Sequence, residues 1–136
     1  MDRISPEQRR SNMQRIRSKH TRPELLVRKL IYHMGYRYRL HDPNLPGKPD
    51  IVFRKLKKVI FVHGCFWHRH EGCHDALLPS SNQNYWIPKL NNNCVHDRQN
   101  QDALFAEGWH YLIIWECQLV DSSNLSNVIM NFLVTG

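Results

Sequence analysis

Apolar positions along the chain fall into short runs and helical stripes, separated by basic turns and Pro/Gly breaks. One such run is Val59-Ile60-Phe61-Val62, four β-formers in succession, too short for a helix and suited to a buried strand. Tyr36, Tyr38 and Leu40 alternate with Arg37, Arg39 and His41, the period of a strand with one face in the core. Asp50 to Arg54 predicts a further strand, and the basic turn from Lys55 to Lys58 suits an antiparallel hairpin into Val59–Val62. Trp109 to Trp115, with Leu112, Ile113 and Ile114 inside it, is the most β-like segment and is expected as a central strand.

Helix signals flank these strands. Ser5-Pro6-Glu7-Gln8 has an N-cap, a proline for the first turn and a capping-box partner. The helix it opens, to about Lys19, has a stripe of little more than Met13 and Ile16, too narrow to pack deeply. Thr21-Arg22-Pro23-Glu24 repeats the start signal, Leu26, Leu30 and Met34 supply a stripe, and Gly35 a stop. A helical pattern runs from about Asn84 to Glu107, broken at Pro88, with Val95, Leu104 and Phe105 on its apolar side. Leu125, Val128, Ile129, Phe132 and Leu133 mark a terminal amphipathic helix, and residues 74–82 read as irregular. The order α, β, β, β, α, β, α predicts an α/β fold with a mixed central sheet flanked by helices. No repeat, low-complexity segment or linker divides it, so residues 1–136 are expected to form one domain.

Charge changes the picture. Residues 1–40 hold eleven Lys and Arg against three acidic residues, +8, while the rest of the chain carries −1. A basic arm over residues 1–20 on a nearly neutral body is the footprint of a polyanion, and nucleic acid is the leading partner. No run approaches the roughly 20 apolar residues of a membrane span and the polar start is no signal peptide. The expectation is therefore a cytoplasmic protein without a membrane partner. In a reducing compartment, four cysteines beside histidines favour metal over disulfides.

The strand at Val59 runs into His63-Gly64-Cys65-Phe66-Trp67-His68-Arg69-His70-Glu71-Gly72-Cys73, a loop that packing alone does not explain. Cys65, His70 and Cys73 are spaced so that one loop can wrap a tetrahedral ion, and zinc takes thiolate and imidazole ligands. Cys117, after the strongest strand, is the best fourth ligand; Cys94 in the predicted helix is its rival, and His74 an alternative imidazole. Four protein ligands would leave no open position, making this zinc structural. Asp50, heading one strand, with the next strand feeding His63 and His68, has the makings of a nuclease site. A carboxylate there can hold Mg²⁺, and a histidine can activate water because its ordinary pKa lies near neutrality.

Ser11-Asn12-Met13, Leu45-Pro46-Gly47-Lys48-Pro49-Asp50, Phe61-Val62-His63-Gly64-Cys65-Phe66-Trp67-His68, Tyr85-Trp86 and Ile114-Trp115-Glu116-Cys117 together resemble the very-short-patch mismatch repair endonucleases. The likeness spans about residues 8–118. It implies a restriction-endonuclease-like fold and nicking of DNA 5′ of the thymine in a T:G mismatch, the product of 5-methylcytosine deamination. It implies Asp50 as the Mg²⁺ carboxylate, His68 as the base for the attacking water, and His63 and Glu24 as positioning residues; for Glu24 a plain capping role competes. It also implies a structural zinc on Cys65, His70, Cys73 and Cys117. Phe66, Trp67 and Trp86 would be an aromatic wedge beside the mismatch, with Met13 reaching in from the basic arm; for Phe66 and Trp67, packing in the core competes. A monomer acting on double-stranded DNA, functionally linked to a DNA cytosine-5 methyltransferase, completes the implied picture.

The chain departs from the family pattern in two places. Valine stands at position 62 where threonine is typical, so Val62 could offer Mg²⁺ only its backbone carbonyl. The approach from His70 to Cys73 is one residue longer. The second acidic residue and lysine of the wider fold are absent around Phe61 to His63, which agrees with histidine-based chemistry. Two other readings compete: a non-catalytic zinc-stabilised DNA-binding module, and a restriction endonuclease of the same fold. Mg²⁺-dependent cleavage separates the first, and a nick rather than a double-strand break the second.

Overall fold

The computed structural model describes residues 20–135. The predicted helix from Ser5 to Lys19, including Met13, lies outside the described residues. Helix α1 (Arg22–His33) begins where the sequence marks it, the Thr21 hydroxyl accepting the Glu24 N–H, with proline in the first turn. Its buried stripe is turned by one position from the expected one. Val27 and Ile31 are fully buried and Leu30 and Met34 partly, whereas Leu26 is exposed. The set 27, 30, 31 and 34 is the full i, i+3, i+4, i+7 face, wider than the 26, 30, 34 row. The same turn carries Glu24, one step earlier on that face, into the interior.

Four strands follow: β1 (Arg39–Leu40), β2 (Ile51–Phe53), β3 (Lys58–His63) and β4 (His110–Trp115). They lie in the order β1-β2-β3-β4; the first three are antiparallel and β4 runs parallel to β3. Among the described residues, the segment expected as a central strand is thus an edge strand. Its apolar residues are explained by helices on both faces rather than by strands on both sides. Of the alternating Tyr36–His41 stretch only two residues pair.

Between β3 and β4 the chain makes the crossover that a parallel pair requires, as helix α2 (Gln83–Ala106). Pro88 does not break it. Pro88 is the sixth helical residue, so the carbonyl it leaves without an N–H lies in the first turn, where the cost is least. Helix α3 (Ser122–Val134) closes the fold, capped by the Asp121 side chain.

The sheet is buried on both faces. Val27, Ile31, Leu125, Ile129 and Leu133 of α1 and α3 pack on Ile51, Phe53, Ile60 and Ile114. Leu104 of α2 and Trp109 cover Val52, Val59 and Phe61 on the other side. Each such fully buried aliphatic side chain contributes about 1.5–3 kcal/mol. Lys58 is a buried exception. Its Nζ donates to the carbonyls of Phe132 (2.6 Å), Leu133 (3.2 Å) and Thr135 at the end of α3, where the helix dipole favours a cation.

Candidate active site and metal centre

Asp50 stands between the loop of residues 45–49 and β2. Gly47 lets that loop lie flat on the domain: its φ is +78°, and a Cβ there would meet Asn100 and Phe61 at 3.1 Å. Asp50 Oδ2 accepts the backbone N–H of Val62 at 2.7 Å, fixing the carboxylate against β3. Because Leu40 pairs with Ile51, the chain beyond β1 brings His41 opposite Asp50, and the His41 N–H donates to the Asp50 carbonyl at 3.2 Å. His41 Nε2 lies 3.9 Å from Asp50 Oδ1 and 2.8 Å from Glu24 Oε2, and Arg28 donates to that same oxygen at 3.3 Å. Glu24 therefore points its carboxylate at His41 and Asp50. Burial pushes the Asp50 carboxyl up from 3.8 to about 6; the Val62 N–H works against the rise and the charge of Glu24 adds to it.

The next residue of β3, His63, faces the α2 side. Its ring stacks on that of His68, with centroids 3.7 Å apart and planes within 7°. Burial drives the His63 pKa down from 6.5 to about 3, with the His68 charge adding and that of Asp97 opposing, so at neutral pH His63 is uncharged. Its buried Nδ1 has no hydrogen-bond partner among the described residues. His68 Nδ1 is 2.6 Å from Asp97 Oδ2 of α2. The structure thus brings Asp50 together with Glu24, and His63 with His68. The two pairs meet at consecutive residues of β3.

Cys65, His70, Cys73 and Cys117 converge, each offering a ligand atom within 4.8 Å of the others. The parallel register pairs His63 with Trp115, so Cys65 and Cys117 each follow two residues beyond the ends of one ladder. His70, not His74, supplies the imidazole, its Nδ1 3.4 Å from Cys117 Sγ. Cys94 is elsewhere, on α2, with Sγ 3.6 Å from the His68 carbonyl. Burial pushes the Cys65 thiol up to about 12; the Cys117 backbone N–H works against the rise, and crowding by the Cys117 and Cys73 thiols adds to it. A thiophilic cation would relieve that crowding by taking the place of the protons, so the donor set fits a metal. Trp115 stands between the two centres: His70 stacks on it at 4.1 Å and His63 meets it edge-on at 5.2 Å.

Phe66, Trp67 and Trp86 also come together, edge to face, with centroid separations of 5.2–5.8 Å. Trp67 and Trp86 are buried with Leu90 as a small separate core, and Phe66 is half-buried at its border.

Sequence reasoning did not single out His41 or Asp97. A signal for Asp97 was present. Leu90, Asn93, Cys94 and Asp97 share one face of α2, and each touches the Phe66–His68 loop: Leu90 packs beside Trp67, Asn93 donates to the Trp67 carbonyl, and Cys94 and Asp97 meet His68. Polar residues on the apolar stripe of a helix point to a buried partner.

The family model described as DNA mismatch endonuclease Vsr matches residues 1–74. The chain is 51% identical over 132 residues to type II nicking enzyme V.XorIIP of Xanthomonas oryzae pv. oryzae, covering 97% of this chain and 96% of that protein. It is 45% identical to type II nicking enzyme V.NmeAIP of Neisseria meningitidis, covering 79% and 76% of the two chains. It is 36% identical to DNA mismatch endonuclease Vsr of Escherichia coli, covering 88% and 76%.

Proposed function

Since the chain belongs to the DNA mismatch endonuclease Vsr family, we propose that it nicks duplex DNA 5′ of the thymine in a T:G mismatch, initiating very-short-patch repair of deaminated 5-methylcytosine. The observation that carries the reading is the junction at the end of β3. A carboxylate fixed by Val62 N–H is followed there by two stacked histidines, one of them anchored to Asp97. A module that only bound DNA would have no use for that junction.

Asp50, with the Val62 carbonyl, would hold Mg²⁺, which when bound polarises the phosphate and stabilises charge in the in-line displacement. Only one Asp50 oxygen is occupied by the Val62 N–H, leaving oxygen lone pairs for a hard cation. His68 would take the proton of the attacking water at Nε2, because Nδ1 is engaged by Asp97. Asp97 fixes that tautomer and steadies the imidazolium that forms. His63, neutral and stacked beneath, orients the His68 ring without competing for the proton. Glu24, through His41, positions Asp50. The cluster at Cys65, His70, Cys73 and Cys117 would hold a structural zinc that braces the loop carrying His68.

Basic residues 1–20 would track the phosphates, and Phe66, Trp67 and Trp86, with Met13, would form the wedge. The enzyme would act as a monomer in the cytoplasm, in functional partnership with a DNA cytosine-5 methyltransferase. Among the described residues no helix is long and apolar enough to cross a membrane. The restriction-endonuclease-like classification follows from the same reading.

The test is nicking of a T:G duplex against its matched T:A twin, across several flanking sequences, with Mg²⁺ and with EDTA. A Mg²⁺-dependent single-strand nick only in the mismatched duplex supports the proposal; equal cutting of both duplexes, or double-strand breaks, refutes it. His68→Ala should slow nicking by roughly 10²–10⁴ with mismatch binding retained, and Asp97→Asn should slow it less. Wild-type rates in His68→Ala would remove His68 from the reaction.

The wedge has its own measurement. Trp67 is buried, so Trp67→Ala should cost about 3–5 kcal/mol of stability whatever its role on DNA. Phe66, at the border, is the cleaner probe. Phe66→Ala should melt close to wild type yet lose preference for T:G over T:A. Undiminished discrimination by a stable Phe66→Ala protein would place the wedge elsewhere.

A further inference from the structure

We propose that His20, Glu24 and His41 form a second metal site, one for a borderline divalent cation such as Zn²⁺, Co²⁺ or Ni²⁺. It is apart from the thiol cluster and borders the oxygen-ligand position at Asp50, whose Oδ1 lies 3.9 Å from His41 Nε2. The three residues each offer a ligand atom, and these lie within 4.8 Å of one another. Two imidazoles and one carboxylate are a donor set that nitrogen-preferring ions occupy and Mg²⁺ does not favour.

The local geometry is built for a positive charge. Glu24 is 2% exposed, so its carboxylate cannot rely on water, and His41 at 9% is buried beside it. His41 Nε2 lies 2.9 and 2.8 Å from the two Glu24 oxygens. The His41 backbone is held in the left-handed region at φ +47°, which a histidine adopts only at a cost. The His20 ring meets His41 edge-on at 5.0 Å.

A cationic group already touches the same donors. Arg28 donates from one nitrogen to His20 Nδ1 at 3.0 Å and to Glu24 Oε2 at 3.3 Å. The lone pair of His20 is therefore aimed at a cation, and that cation is a guanidinium. The Arg28 side chain is 22% exposed and can swing to solvent. A divalent ion would take the place of the Arg28 N–H and of the proton between His41 and Glu24, with that proton released or moved to His41 Nδ1. Arg28 thus competes with the metal for one site, and its removal should strengthen binding.

Co²⁺ titration of the full chain, purified with its thiol cluster loaded, tests this by visible absorption. The expected result is one further equivalent of Co²⁺ whose d–d bands appear without thiolate-to-metal charge transfer, resistant to excess Mg²⁺. That equivalent should disappear in His20→Ala, an exposed position that leaves the core untouched, and in His41→Gln. It should persist in His68→Ala, which disables the rival His63, His68 and Asp97 group. Arg28→Gln should bind it about tenfold more tightly or better, by loss of a competing charge. Absence of the further equivalent in wild type and in Arg28→Gln overturns the proposal. So does its survival in His20→Ala, or its loss in His68→Ala.

Discussion

Asp50→Asn is expected to abolish nicking of a T:G duplex and, at the same time, to make the protein more stable at pH 7. Both outcomes come from one cause. The Asp50 carboxyl rises from 3.8 in the unfolded chain to about 6 in the fold, chiefly through burial. Above pH 6 it is ionised in both states, and the fold then carries the full cost of a disfavoured charge, at most about 3 kcal/mol for a shift of this size. As pH falls through 6 the native carboxyl takes up a proton before the unfolded one does. The penalty shrinks and is gone below about pH 4. This single group therefore makes the fold more stable toward acid, opposite to a salt-bridged carboxylate.

Asparagine keeps an oxygen for the Val62 N–H and removes the charge, so thermal melting at pH 7 without Mg²⁺ should rise by several degrees. Nicking by wild type should decline below pH 6, where protons compete for the carboxylate, and the decline should move to lower pH as Mg²⁺ is raised. An Asp50→Asn protein that still nicks, or that melts below wild type, would contradict the role given to Asp50.

Cys117→Ala is expected to lose the tightly bound zinc, about one per chain, and with it most of the stability of the domain. Metal binding and folding are coupled when ligands come from distant segments, and structural zinc can contribute free energy comparable to the whole stability of a small domain. Here the segments are the loop after β3 and the end of β4. Without the metal, the Cys65 thiol is left buried among other thiols and its loop loses its tie to the sheet. Elemental analysis and melting of wild type, Cys117→Ala and Cys94→Ala decide the matter. Cys94→Ala should be nearly silent. Zinc-free wild type, or a Cys117→Ala protein that keeps both zinc and its melting point, would refute the assignment.

How much of this was legible in the sequence depended on distance along the chain. The stretch from Val59 to Cys73 showed its strand, its loop and three members of the thiol cluster, because all lie within fifteen residues. Cys117 was legible because a strand end is where a parallel neighbour delivers its next residues. Asp97 was harder to read, since twenty-nine positions and the first half of α2 separate it from His68, and only the polar residues on one face of that helix signal it. His41 was not legible, because alternation assigned it to the polar side of a strand. Pairing with β2 ended at Leu40 and released its ring toward Glu24. The face of α1 was misjudged by one position because Leu26 and Val27 are equally apolar, and only packing against the sheet chooses between them. The edge position of β4 was hidden for a related reason. Burial by helices on both faces leaves the same apolar run as burial between strands.

The alignment of β3 with β4 has a consequence for how the chain folds. Cys65 and Cys117 each lie two residues past a matched pair, His63 and Trp115. A slip of one residue between these strands would shift one end against the other by about 3.3 Å and turn side chains to the opposite face. Metal coordination tolerates only about 0.2 Å. A misaligned sheet would therefore bind its metal poorly, and a correctly aligned one well. Parallel strands joined through a long crossover are slow to find each other and have no hairpin to set their alignment. With an ion bound, the thiol cluster would act as a proofreader of that pairing: an ion captured late in folding would retain the chains whose strands have met correctly and leave the others free to try again.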